Sequence, residues 1–338
     1  MPTALRDAFG RPIRDLRIAV IDKCNFRCPY CMPAEIFGAD YNFLSQNELL
    51  SDDEIARLAG LFARIGVTKF RITGGEPLLR PNLPDLIARL ARIPRLEDLA
   101  MTTNAIYLAE YAPALKAAGL HRVTVSLDSL DNEVFQQMNG RRGTVEQVLA
   151  GIEAAVAAGF RHVKINCVVK KGVNEHTIVD LARYFKGSGH TVRFIEYMDV
   201  GNLNGWKMDD VVTGAEILQM IGAEMPLEPV DPRYRGEVAR RYRYVDGSGE
   251  IGLITSVTQP FCRDCTRARL SGAGEYYTCL FARSGTDLRA PLRRGASDEE
   301  MLALITGVWQ NRTDRYSELR ASFTDIPAKG AEMYRIGG

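Results

Sequence analysis

Histidine, net charge and long apolar runs are all scarce in this sequence of 338 residues. The four histidines, His121, His162, His176 and His190, leave little material for a histidine-rich metal site, and none stands beside a cysteine cluster. The 43 basic residues offset 42 acidic ones to a formal charge of +1, which argues against a dedicated nucleic-acid binder or a polybasic membrane-surface protein. Any anion site must therefore be local. No run approaches the ~20 apolar residues of a spanning helix, and the opening Met-Pro-Thr-Ala-Leu-Arg-Asp has no apolar signal region. The expected address is cytoplasmic, with no membrane and no nucleic acid among the partners. A Walker-type Gly-x4-Gly-Lys-Ser/Thr loop is missing too, so any phosphates would be held by side chains.

Cysteine is present in an odd number, seven, and is bunched as Cys24/Cys28/Cys31 and Cys262/Cys265/Cys279 with Cys167 apart. That pattern suits metal or cluster ligation in a reducing compartment better than a disulfide framework. A structural zinc site closes its tetrahedron with four ligands, and neither group supplies a fourth nearby. A four-iron cube held by three thiolates leaves one iron open, where a small molecule can chelate through its own amino and carboxylate groups. The second group reads the same way, as a cube with an exposed iron. A zinc knuckle borrowing Cys167 is the alternative; otherwise Cys167 reads as a buried strand residue.

Apolar, β-branched runs recur at 16–21, 67–72, 98–103, 122–127, 162–169 and 191–195, separated by helical patterns. Ser51-Asp-Asp-Glu54 and Thr144-Val-Glu-Gln147 are capping-box starts. Gly66, Gly119 and Gly159 each follow a helical pattern and suit a left-handed cap. Six strands alternating with helices imply parallel βαβ units, in a full or partial barrel or in a doubly wound sheet, with ligands at the carboxyl ends of the strands. The expected architecture is an incomplete (β/α)6 TIM-like barrel over residues 8–228, its regular units ending near 200. A smaller C-terminal region, 229–338, carries the second cluster and closes the barrel mouth.

Arg17, Lys69, Arg71, Lys164 and Arg193 all fall within these strands, where a charged side chain points inward only if an anion or partner awaits it. Arg267 and Arg269 alternate onto one face of an extended segment beside the second cysteine pair. Seven cations on one cavity call for a ligand with several negative charges, as in a nucleoside triphosphate. The basic, aromatic stretch from Arg233 to Arg243 reads as a cavity wall or solvated strand.

The C-x3-C-x2-C spacing after a strand, with Tyr30 before the last cysteine, resembles the signature of radical S-adenosylmethionine enzymes. Gly74-Gly75-Glu76-Pro77 resembles their GGEP motif, and the resemblance assigns Tyr30, Gly75, Ser126 and Met198 to S-adenosylmethionine. Glu76 could accept from that cofactor's ammonium. Adding Cys262-Arg-Asp-Cys265-Thr-Arg267-Ala-Arg269-Leu and Cys279 narrows the likeness, over nearly the whole chain, to the GTP 3′,8-cyclase family of molybdenum cofactor biosynthesis.

That resemblance implies two [4Fe-4S] clusters, S-adenosylmethionine and GTP as substrate. Cys24, Cys28 and Cys31 would hold the radical-generating cluster, and Cys262, Cys265 and Cys279 the second one. Arg17, Arg71, Thr102, Lys164, Arg267, Ala268 and Arg269 would bind GTP, with Arg267 and Arg269 also catalytic; Lys69 and Arg193 are further triphosphate candidates. It also implies an external electron donor, a downstream cyclic pyranopterin monophosphate synthase, a homodimer, and a Gly337-Gly338 tail reaching the active site. Ala105 departs from the pattern, standing where Asn104 is usually followed by Gly. Two other readings differ in kind. A peptide- or cofactor-modifying radical enzyme would carry a fully ligated auxiliary cluster, and a nonenzymatic metal- or RNA-binding module would not cleave S-adenosylmethionine.

Overall fold

Six short strands, each entered from a helix or loop and each apolar on the side that meets helices, make the centre of the molecule. They are β1 (Asp15–Ala19), β2 (Lys69–Thr73), β3 (Asp98–Thr103), β4 (Arg122–Ser126), β5 (Lys164–Val169) and β6 (Thr191–Glu196), hydrogen-bonded in that order and all parallel. They lie close to the six apolar runs of the sequence. The computed structural model describes residues 4–201, 203–320 and 330–337.

Helices α1 (Asp52–Arg64), α2 (Leu83–Ala91), α3 (Leu108–Ala117), α4 (Asn132–Asn139), α5 (Val145–Ala157), α6 (Ile178–Phe185) and α7 (Gly214–Glu224) cover the apolar side. Ser51 and Thr144 cap α1 and α5 with the reciprocal side-chain bonds of a capping box, which satisfy first-turn N–H groups that have no helical partner. The same signature opens α7 at Thr213/Glu216 and recurs at Ser297/Glu300, two starts that the sequence also carries but that were not read from it. Gly66, Gly119 and Gly159 adopt φ of 115°, 97° and 96°, as their positions after helices require. At Gly66 space adds to dihedral, since a Cβ would stand 2.7 Å from Ala4 Cα.

The C-terminal region does more than close the mouth. Strands β7 (Leu227–Val230), β8 (Arg240–Tyr244) and β9 (Glu250–Ile254) extend one edge, with β9 parallel to β6. Strands β10 (Arg267–Leu270), β11 (Glu275–Tyr277) and β12 (Thr286–Asp287) extend the other, with β10 parallel to β1. The result is a twelve-stranded sheet, ordered β12-β11-β10-β1-β2-β3-β4-β5-β6-β9-β8-β7, whose ends do not meet. The expected division at 228/229 falls inside β7.

Helices α8 (Arg289–Arg293), α9 (Asp298–Gln310), α10 (Tyr316–Leu319) and α11 (Met333–Ile336) complete the chain. Arg57 of α1 donates to Asp298 of α9 at 2.8 Å, a half-exposed pair that fixes orientation more than it stabilises. The main core cluster runs from Ile13 to Trp309, so α8 and α9 share it with the barrel, and a small second cluster holds Met32, Phe37 and Tyr334. Among the described residues no helix is long and apolar enough to cross a membrane.

Candidate active site

Strand alternation turns the apolar residues Leu16, Ile18, Phe70 and Ile72 outward to the helices and leaves the polar set on the concave side. Parallel register then lines up cations. Arg17 is paired with Arg269 on one side and Arg71 on the other, and two residues earlier Asp15 lies between Arg267 and Lys69. A single cavity is lined by Arg17, Lys69, Arg71, Thr102, Lys164, Arg193, Met198, Arg267 and Arg269, together with Cys262, Cys265 and Cys279. Ala268 differs: it is fully buried in the core on the opposite face of β10, so only its main chain is available to a ligand.

Burial and mutual repulsion are visible in the titration of these groups. Burial lowers Arg17 far below the usual arginine range, helped by Arg269, Arg71 and Arg267. Burial, then Arg193, Arg122 and Arg71, bring Lys164 down to about 7. Arg193 falls to about 9 through burial, then Arg71 and Arg122, and its Nε is buried with no hydrogen-bond partner. Arg269 is also lowered to about 9, by burial and then Arg267. Such a set stores unfavourable energy that a polyanion relieves.

Several lining residues were not read from the sequence. Arg122 opens β4 on the same concave side and donates from Nε to Asp98 at 2.7 Å, a pairing that holds Asp98 low against its burial. Its position at the start of an apolar run was the available signal. Arg241 and Arg233 of the basic, aromatic stretch do line the cavity, and Tyr234 places its ring 3.8 Å from Lys69 Nζ. Arg71 donates to Thr102 at 3.0 Å and Thr124 at 3.2 Å, an arrangement set by β3 and β4 lying next in register.

All seven cysteines are free, and the six bunched ones are partly exposed. In the first loop Met32 N–H donates to Cys28 O at 2.8 Å, and Phe26 N–H points at Cys24 Sγ from 3.4 Å. Burial, Cys24 and Cys31 all raise the Cys28 thiol, so the three are electrostatic neighbours. In the second loop burial works against ionisation of Cys265, yet Arg267 and Arg312 bring it to about 6, with Arg267 Nη2 3.3 Å from its sulfur. Burial and Asp314 push Cys279 up to about 12. Among the described residues no three His, Cys, Asp or Glu side chains converge as ligands of one ion do. A cube takes one thiolate on each of three irons, and three thiols in each loop are that donor chemistry. Cys167 is a fully buried strand residue, its sulfur 3.4 Å from Asp128 O.

Tyr30 donates to Asp128 Oδ2 at 2.8 Å, and Asp128 Oδ1 accepts from Val168 N–H, so β5 steadies the aromatic residue before Cys31. Ser126 ends β4, while Met198 follows β6 and reaches the cavity. Gly75 answers to chain packing: a Cβ there would stand 2.3 Å from Lys23 O. Glu76 turns inward. Its oxygens accept from Leu78 N–H, Thr103 Oγ1 and Asn104 N–H, which fix the carboxyl in the turn after β2, and burial raises it to about 7. Ala105 takes the left-handed φ of 65° that a glycine would adopt freely.

The tail also arrives here. Tyr334 packs its ring 5.0 Å from Phe37 and pairs its hydroxyl with Tyr41 at 2.8 Å, beside the first cysteine loop. Beyond it Arg269 donates to Ile336 O at 3.2 Å and to Gly337 O. Gly337 has φ 71°, and a Cβ would collide with Thr73 Cγ2 at 2.0 Å. Gly338 lies outside the described residues.

This pairing of a parallel strand core with a three-cysteine loop agrees with the comparisons. Residues 18–185 match the radical SAM superfamily, and residues 190–318 match Molybdenum Cofactor Synthesis C. Among solved structures, SuiB of Streptococcus suis bound to S-adenosylmethionine superposes with a TM-score of 0.62 at 14% identity, over 93% of this chain and 69% of that one, a likeness of fold. Curated relatives named GTP 3′,8-cyclase include that of Acidothermus cellulolyticus, 54% identical over 98% of this chain and 93% of its own. Those of Xanthomonas campestris (52%; 99% and 97%) and Staphylococcus haemolyticus (49%; 100% of each) agree. The chain thus belongs to the GTP 3′,8-cyclase family of radical S-adenosylmethionine enzymes. With that membership come S-adenosylmethionine and an iron–sulfur cluster.

Proposed function

We propose that this chain cyclises GTP: hydrogen leaves C3′, C3′ bonds to C8 of guanine, and the adduct takes up one electron and one proton. The product is (8S)-3′,8-cyclo-7,8-dihydroguanosine 5′-triphosphate, the first committed compound of molybdenum cofactor biosynthesis. When bound, the cluster at Cys24, Cys28 and Cys31 with S-adenosylmethionine supplies the 5′-deoxyadenosyl radical that removes the hydrogen.

The chain's own work is placement. Arg17, Lys69, Arg71, Thr102, Lys164 and Arg193 take the triphosphate, each charge raised in worth by burial. The observation that carries this reading is the row Arg269–Arg17–Arg71, three guanidiniums in register on one cavity wall, which a polyanion neutralises. Arg267 joins that wall to the second thiol loop, its Nη2 3.3 Å from Cys265 Sγ, and Ala268 offers its main chain. A second [4Fe-4S] cluster on Cys262, Cys265 and Cys279 would leave one iron for the purine. Tyr30, Gly75, Ser126 and Met198 line the S-adenosylmethionine side, and the tail with Tyr334 helps exclude water, so the radical meets C3′ before solvent.

In this reading residues 8–228 form the radical core, and 229–338 the region that carries the second cluster and the Gly337-Gly338 tail. The chain works as a homodimer in the cytoplasm, draws electrons from an external donor and passes its product to a cyclic pyranopterin monophosphate synthase. Anaerobic reconstitution followed by iron and sulfide counts, with 5′-deoxyadenosine measured with and without GTP, tests it. The expected result is about eight irons per chain and cleavage that GTP accelerates; about four irons, or no response to GTP, would contradict it.

A further inference from the structure

Behind the second thiol loop three charged side chains are packed out of water. Asp7, Arg11 and Arg312 are 7%, 3% and 4% exposed. Asp7 and Arg11 belong to an N-terminal hairpin pinned by the Arg6–Pro12 bridge, and Arg312 follows α9. Asp7 Oδ1 accepts from the N–H groups of Phe9 and Arg11; Oδ2 accepts from Arg11 Nε at 2.5 Å and stands 3.5 Å from Arg312 Nη1.

From this anchor both guanidiniums grip the loop's main chain. Arg11 Nη1 donates to Cys262 O and to Asp314 O, each at 2.8 Å, and Arg312 Nη1 donates to Cys265 O at 2.8 Å. Trp309 fixes the pair from α9, donating to Arg11 O at 3.3 Å and presenting its ring 4.5 Å from the Arg312 guanidinium.

The charges balance in number but not in burial. Two buried cations face one buried carboxylate, with the partly exposed Asp314 3.4 Å from Arg312 Nε. Arg11 Nη2 and Arg312 Nε are both buried with no hydrogen-bond partner. A buried cation persists when a counter-charge completes it, and the next groups within electrostatic reach of Arg312 are the sulfurs of Cys265 and Cys279. A cube bearing three thiolates is such an anion.

We propose that Asp7, Arg11 and Arg312 are positioning residues for the second cluster: they clamp the Cys262–Cys265 turn through its carbonyls and supply the positive charge that the bound anion completes. The inference rests on the reading of that loop as a cluster site. It follows that the three stabilise the cluster-bound chain selectively, whereas a purely structural network would stabilise the empty chain equally.

The test compares wild type, Arg312→Gln, Arg312→Lys and Cys265→Ala as full chains, measuring iron, sulfide and Tm before and after anaerobic reconstitution. Arg312→Gln is expected to hold about four irons where wild type holds about eight, to lose most of the Tm gain on reconstitution, and to lose less Tm as the empty chain than as the loaded one. Arg312→Lys, which keeps the charge, should recover more than half of the lost iron. Full iron in Arg312→Gln, or an empty-chain Tm that falls as far as the loaded one, overturns the proposal, and failure of Arg312→Gln to fold counts the same way. If Cys265→Ala holds as much iron as wild type, the second-cluster reading itself fails; if Cys265→Ala loses iron and Arg312→Gln does not, only the clamp fails.

Discussion

Arg17 and Arg269 are register partners on adjacent parallel strands, and Arg71 stands on the far side of Arg17. Like charges brought together out of water oppose folding and favour an anion, so the same three residues should pull stability and binding in opposite directions. Arg17→Met is expected to raise the stability of the ligand-free chain, by on the order of 1 kcal/mol, and to weaken GTP binding at least tenfold. Chemical denaturation and equilibrium binding check the two signs; a variant that is both less stable and unchanged in affinity would contradict the arrangement.

Lys164 makes the pH dependence explicit. Its value in the folded chain is about 7 against an ordinary 10.5. The unfolded chain therefore binds the proton first as pH falls: the cost to stability grows between 10.5 and 7 and is constant below. A bound triphosphate raises the folded value again, so binding at pH 8 should take up a proton, and affinity should weaken as pH climbs above 7. Calorimetry in buffers of different ionisation enthalpy measures the uptake, and Lys164→Met should abolish it.

The turn after β3 is a contest of small terms. Ala105 holds φ 65° at a cost of about 1 kcal/mol, but its methyl is fully buried, worth about 0.8 kcal/mol. Ala105→Gly should therefore change stability by less than about 1 kcal/mol. Gly151→Ala on the facing α5 should cost about 2 kcal/mol, because its Cβ would lie 2.6 Å from Ala105 O. Thermal denaturation of both variants separates them.

At the tail, Gly337→Ala should lower cyclised product more than tenfold while Tm moves little, since only the chain beyond the buried Tyr334 and Ile336 is displaced. A large fall in Tm would show that the tail is structural first.

Much of this was legible in the sequence. Strand periodicity placed the six β-runs, and the cations inside them were recognisable because an inward charge needs a partner. The edge pairings of β9 and β10 were not legible, because which distant strand joins an open edge is decided by tertiary packing. Arg122 stands at a strand start, where a charge is ordinary, and the three donors that fix Glu76, Leu78 N–H, Thr103 Oγ1 and Asn104 N–H, meet it only once β2 and β3 pair. Asp7 and Arg11 are neighbours in one hairpin, but Arg312 lies 305 residues beyond Asp7, so nothing local marks the three as a unit.

The central claim is that the cavity holds C3′ of GTP against the radical generated at the first cysteine loop. GTP deuterated at C3′, given to the reconstituted protein with S-adenosylmethionine and reductant, tests it most directly. Deuterium should appear in the 5′-deoxyadenosine formed. Unlabelled 5′-deoxyadenosine accompanying cyclised product would contradict the account.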